Sequence, residues 1–137
     1  MPEPRSFEYA IVRVVPRVER GECLNAGVIL WCRSLAWLHA AFELDHDRLI
    51  AFAPDADVAT IEAHLESFVR VASGGDDAGP IGRMDPAERF RWLVSPRSTV
   101  IQVSEVHEGL CGDPAEALEH LLQTLVRTPE PGESPTT

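Results

Sequence analysis

The sequence predicts a single α+β domain, a small and mainly antiparallel sheet packed against helices. Three observations carry that prediction. Residues 9–32, YAIVRVVPRVERGECLNAGVILWC, read as two apolar runs joined by a charged turn. Downstream, Asp57, Asp85 and Asp113 each open a stretch with helical apolar spacing. The chain has 137 residues, near the common size of one domain.

The elements follow in order. Residues 1–6 are read as a short leader. From Phe7 to Val15 both faces are apolar, as in a strand covered on both sides, and Arg13 interrupts the pattern. Pro16 has no amide donor and stops the strand. Gly21 marks the turn, and Leu24 to Cys32 forms the second strand of a hairpin, with Gly27 signalling a bulge or a close backbone approach. Residues 35–43 fit either a helix, by their alanines, or a third strand, by their aromatics and the tight turn before them; the strand is preferred. Asp45 or Asp47 caps a short helix that Pro54 ends. Asp57 caps a longer one to about Ala72, with Val58, Ile61, Leu65, Phe68, Val69 and Ala72 as its apolar stripe.

Residues 76–82 read as a surface loop. Asp85–Pro86–Ala87–Glu88 combines an N-cap with proline in the first turn, and the short helix it opens stops at Ser95–Pro96. Residues 99–103 alternate as a fourth strand, and residues 104–112 read as a loop. Asp113–Pro114–Ala115–Glu116 opens the last helix, which runs to about Arg127. Residues 128–137, TPEPGESPTT, read as a disordered tail. The domain therefore spans residues 7–127.

Composition excludes several function classes. The net charge of −10 opposes nucleic-acid binding. There is no lysine, which removes Schiff-base chemistry and a P-loop lysine. No run of about 18 apolar residues crosses a membrane, and the start of the chain lacks signal-peptide grammar, so a cytoplasmic protein is expected. Cys23, Cys32 and Cys111 form no CxxC pair, and no histidine spacing suits a metal. His46 beside Asp45 and Asp47 reads as a helix cap rather than a metal site. Nucleophile elbows and phosphate-binding glycine loops are missing, so neither catalytic residues nor a cofactor is expected.

Charge is uneven, however. Residues 43–77 hold nine acids against two arginines, whereas residues 1–33 hold five arginines against four acids. Residues 83–107 hold four arginines against three acids. The two near-neutral segments suggest one candidate ligand- or partner-binding site: Arg13, Arg17, Arg20, Glu22 and Asn25 from the first, with Arg97, Ser98, Gln102 and His107 from the second. Guanidinium forks recognise carboxylate or phosphate bidentately. His107 with Glu22 or Glu108 would make a base pair for proton transfer. The competing reading pairs these arginines with internal carboxylates. Trp92, if exposed beside Arg89 and Arg97, would mark a partner hot spot.

Two blocks carry a resemblance. The first is YAIVRVVP at residues 9–16, with Arg20–Gly21–Glu22 and the run from Asn25 to Val28. The second is RFRWL at residues 89–93, then Ser95 to Ser98, Gln102, His107–Glu108–Gly109 and Asp113–Pro114. On these the chain resembles a bacterial family of domains of unknown function, DUF3037, whose members often carry a small hydroxyl residue where this chain has Glu108. The resemblance implies no activity. It does imply an accessory role, because members are often encoded beside a HipA-like kinase. A non-enzymatic protein-binding module is therefore expected. The alternative is a ligand-binding or enzymatic domain for a phosphorylated or carboxylated small molecule.

Overall fold

The computed structural model describes residues 4–97 and 99–127. At its centre β1 (Arg5–Val14) and β2 (Leu24–Cys32) form an antiparallel hairpin. β3 (Trp37–Phe42) adds to the free side of β2 after a 3-10 turn at Arg33–Leu35. The other side of β1 is shared by two short antiparallel strands, β4 (Ile101–Val103) along Val12–Val14 and β5 (His107–Cys111) along Arg5–Tyr9. The fold is thus α+β with an open antiparallel sheet of five strands, ordered β3-β2-β1-β4 with β5 also on β1.

Helices cover both faces. α1 (His46–Phe52), α2 (Val58–Ser73) and α3 (Pro86–Leu93) lie on one side, where Leu49, Ile61, Leu65, Phe68, Phe90 and Leu93 pack on Val12, Val14, Ile29 and Trp31. α4 (Pro114–Leu121), prolonged by a π turn at Leu122–Val126, lies on the other, where Leu118, Leu122 and Val126 pack on Phe7, Val28, Leu30 and Cys32. Each helix start is capped as its sequence demands: Asp45 accepts from the Arg48 amide at 3.1 Å and Asp57 from Thr60 at 3.2 Å. Asp85 accepts from Glu88 at 2.9 Å and Asp113 from Ala115 at 3.0 Å.

A bulge reconciles β2 with both cores. Val12 pairs with Gly27 but Arg13 pairs with Asn25, so Ala26 is an extra residue. The insertion inverts the alternation: Leu24 and Ala26 face α1–α3 together with Ile29 and Trp31. Gly27 is required here, since a Cβ would stand 2.7 Å from the Ala41 carbonyl oxygen.

Several boundaries differ from expectation. β1 begins at Arg5, inside the expected leader. β3 starts at Trp37 because Ala36 adopts a left-handed conformation that ends the 3-10 turn. Residues 76–83 form 3-10 turns kinked at Gly79. β4 starts at Ile101 rather than at Thr99. The expected loop at residues 104–112 holds a fifth strand, β5, paired with the extended start of β1. Phe7 covers Gly109 there, so that a Cβ on the glycine would lie 2.6 Å from the ring. The tail at residues 128–137 lies outside the described residues.

Where β4 gives way to β5, Ser104 keeps the ladder closed. Its amide donates to the Ile11 carbonyl at 2.8 Å, and its hydroxyl accepts from the Ile11 amide at 2.8 Å. The side chain replaces a missing strand carbonyl, and Ser104 is buried. Ser104→Ala leaves the Ile11 amide without its acceptor and is expected to cost about 1–3 kcal/mol. Chemical denaturation gives the loss, and faster hydrogen exchange at Ile11 locates it.

Candidate binding surfaces

The structure divides the eight candidate residues it describes rather than gathering them. Arg13 alternates with Val12 and Val14, which face α1–α3, so it falls on the α4 face, half-buried. Asn25 and Gln102 are its register partners on either side, making one row across three strands. The Asn25 amide donates to the Leu125 carbonyl at 3.1 Å and pins the π turn. Gln102 donates to the Thr99 carbonyl at 3.1 Å. The Arg13 side chain has no hydrogen-bond or ion-pair partner among the described residues.

His107 lies on the same face but four residues along β1, opposite Tyr9, roughly 13 Å from the Arg13 row. Its ring stands 5.3 Å from that of Tyr9. Glu108 alternates onto the opposite face, and Glu22 lies in the turn beyond the far end of β1, so neither carboxylate is placed to make a base pair with His107.

The turn residues are neutralised locally. Arg17 pairs with Asp55 at 2.9 Å, and Arg20 pairs with Glu22. The hollow they line with Phe52 and Ala53 holds about 10 Å³, room for one water.

Arg97 lies on the α1–α3 side of the sheet, away from the Arg13 row. Its guanidinium lies 4.8 Å from the ring centres of both Phe68 and Trp92. One terminal nitrogen donates to the Leu93 carbonyl at 2.6 Å and the other to that of Trp92 at 2.9 Å. It therefore caps the C-terminus of α3, where a cation complements the helix dipole. Burial lowers its pKa from the usual arginine value. Arg97 does not join Arg13 in one cluster, and Ser98 lies outside the described residues.

What forms around Arg97 instead is a cleft of about 430 Å³. Phe68, Val100 and Ile101 make its apolar lining, and His64, Ser67 and Thr99 supply polar groups. Trp92 is 36% exposed at its mouth. The sequence flagged Trp92 as conditional on exposure and missed the cleft, because Phe68 and Val100 come from elements remote in the chain.

The profile of the family described as a protein of unknown function, DUF3037, matches residues 9–126. The chain belongs to the DUF3037 family. Neither the curated proteins nor the solved structures provide a match. The matched span includes the Arg13 row, the Trp92 cleft and all of β5. Among the described residues, this DUF3037 chain has no group of three or more His, Cys, Asp or Glu able to hold a metal ion. His46 pairs with Glu62 at 2.7 Å. No helix of the described residues is long and apolar enough to cross a membrane.

Arg127 fixes α4 over the Arg13 row. It donates to both Glu43 oxygens, at 2.7 and 2.6 Å, and to Glu119 at 2.6 Å. The hydrogen bonds from Arg127 lower the Glu43 pKa from the ordinary value. Since the folded form holds its proton more weakly than the unfolded one, this contribution is present above the ordinary glutamate pKa and is lost as pH falls through the lowered one. Melting temperature followed from about pH 6 to about pH 3 is expected to fall less steeply in Arg127→Gln than in the parent.

Proposed function

We propose that this chain is a cytoplasmic, non-enzymatic protein-binding module that grips its partner through the Trp92–Arg97 cleft. The observation carrying this reading is the exposed Trp92 ring stacked on an immobilised guanidinium above an apolar lining. Tryptophan and arginine dominate binding hot spots because they present large, partly apolar contact areas. Arg97 is held by two aromatic faces and the α3 carbonyls, so docking costs it little conformational freedom. The HipA-like kinase suggested by the family's gene company is the first partner to test.

A second reading rests on Arg13. A half-buried guanidinium without a partner among the described residues, flanked by Asn25 and Gln102, has the chemistry to take a carboxylate or phosphate. It predicts a rise in melting temperature with phosphosugars or dicarboxylates that Arg13→Ala abolishes.

Capture of the kinase by tagged protein tests the first reading. Trp92→Ala is expected to weaken it at least about tenfold, because hot-spot truncations cost about 2 kcal/mol or more. Ile50→Ala, an apolar α1 residue of similar exposure at 40%, is expected to leave capture unchanged. Equal capture by parent and Trp92→Ala, with both proteins folded by circular dichroism, would remove the cleft from the account.

A further inference from the structure

The sheet has a second surface with binding chemistry, which does not involve the Trp92 cleft. β5 uses one edge to pair with β1, from Arg5 opposite Cys111 to Tyr9 opposite His107. Among the described residues no strand pairs with its other edge. Exposed sheet edges are commonly blunted by short strands, charged side chains (lysine above all), proline or a bulge, because their free amides and carbonyls template further strands. The one charge on β5 is Glu108, which repels an acidic strand and attracts a basic one. HEGLC contains neither lysine nor proline and pairs with β1 without a register shift. Leu110 stands 73% exposed on it.

The side chains beside that edge specify a charge. Glu8 and Glu108 are directly opposite in the register, as are Ser6 and Leu110, and all four fall on the face opposite Phe7, Tyr9 and α4. Two like charges in direct opposition destabilise a strand pair. Neither glutamate has an ion-pair partner among the described residues. Exposed Glu105 precedes the strand and adds to the same sign. A second copy of the chain would bring the same carboxylates, on a body of net charge −10, against this stripe.

We propose that the outer edge of β5 accepts an extended basic segment of a partner protein as an added strand. Backbone hydrogen bonds to the edge supply affinity, and side chains at alternate positions supply selectivity. On the face of Glu108 and Leu110 the incoming strand places a cation against the carboxylates and, two residues away, an apolar side chain against Leu110. The surface shares no residue with the Trp92 cleft.

The probe is an eight-residue peptide with arginine and valine alternating on one face and threonine on the other. Titration is expected to perturb the backbone amides of residues 107–111 in NMR spectra and to slow their hydrogen exchange. N-methylation of alternate peptide amides, on the edge that faces β5, abolishes binding. Glu8→Lys with Glu108→Lys lowers affinity at least tenfold, and the milder pair Glu8→Gln with Glu108→Gln lowers it in the same direction. Glu66→Lys with Asp77→Lys, an identical change in net charge elsewhere, leaves affinity within about threefold. Equal loss in the two lysine variants would mean a general field effect and overturn the proposal. So would undiminished binding of the N-methylated peptide, or perturbation confined to the Trp92 cleft. Dimerisation of the chain through β5 in sedimentation experiments would assign the edge to a second copy. Trp92→Ala leaves peptide binding intact, so failure of the cleft reading and failure of this one give different results.

Discussion

Both faces of the central hairpin must be dry. Val12, Val14, Ile29 and Trp31 look toward α1–α3, while Phe7, Val28, Leu30 and Cys32 look toward α4. A strand apolar on both sides buries its residues only when two helical layers close on it, and each layer contributes its own set of contacts at about 25 cal/mol per Å² of apolar surface. The Ala26 bulge makes this possible for β2, since without it Leu24 and Ala26 would share a face with Val28 and Leu30. The carbonyl of the bulged Ala26 is taken by the Glu43 amide at 2.7 Å, which anchors the end of β3 at the same point. Asn25, beside the bulge, holds the π turn of α4. One inserted residue therefore coordinates the hairpin, the third strand and the helix on the far face.

The arginines follow from the same architecture. With an excess of acids over the surface, several guanidinium groups find a carboxylate nearby: Arg17 takes Asp55, Arg83 takes Asp76, and Arg127 takes Glu43 and Glu119. Where the neighbourhood is backbone instead, arginine takes carbonyls. Arg97 caps α3, and Arg89 donates to Met84 at 2.7 Å and to Ala72 at 3.3 Å. The near-neutral segments seen in the sequence thus do not create a positive hollow. Arg17 and Arg89 join separate elements, whereas Arg13, inside the sheet, keeps an open chemistry.

What could be read from the sequence was local. β2 occupies the expected residues, and the aspartate caps at positions 57, 85 and 113 sit where the residue types place them, because capping depends on side chains within a few residues of the helix start. What could not be read was non-local. β5 contains glycine, glutamate and histidine and no β-branched residue, so nothing in its own five positions favours a strand; its pairing with β1 and the Phe7 ring over Gly109 supply the preference. Arg97 was legible as a candidate anion grip because it is a guanidinium in a near-neutral segment. The α3 carbonyls were within reach of a cation just past a helix end, a signal that helix C-termini provide, but the Phe68 ring comes from another helix and no spacing announces it.

The break at Ser104 also determines where the molecule can meet another. On its β4 side Ile101 is buried against the α1–α3 core, and that end of the edge forms part of the Trp92 cleft. On its β5 side Leu110 is largely exposed, on a face where Glu8 and Glu108 oppose each other. The same side of β1 is thus covered along one half and open along the other. An uninterrupted strand would extend one alternation along both halves. Ser104 lets the chain depart from β1 for residues 104–106 and return without leaving the Ile11 amide unbonded. A hydroxyl that replaces a peptide carbonyl is therefore what permits two short strands, and two different surfaces, on one edge of one strand.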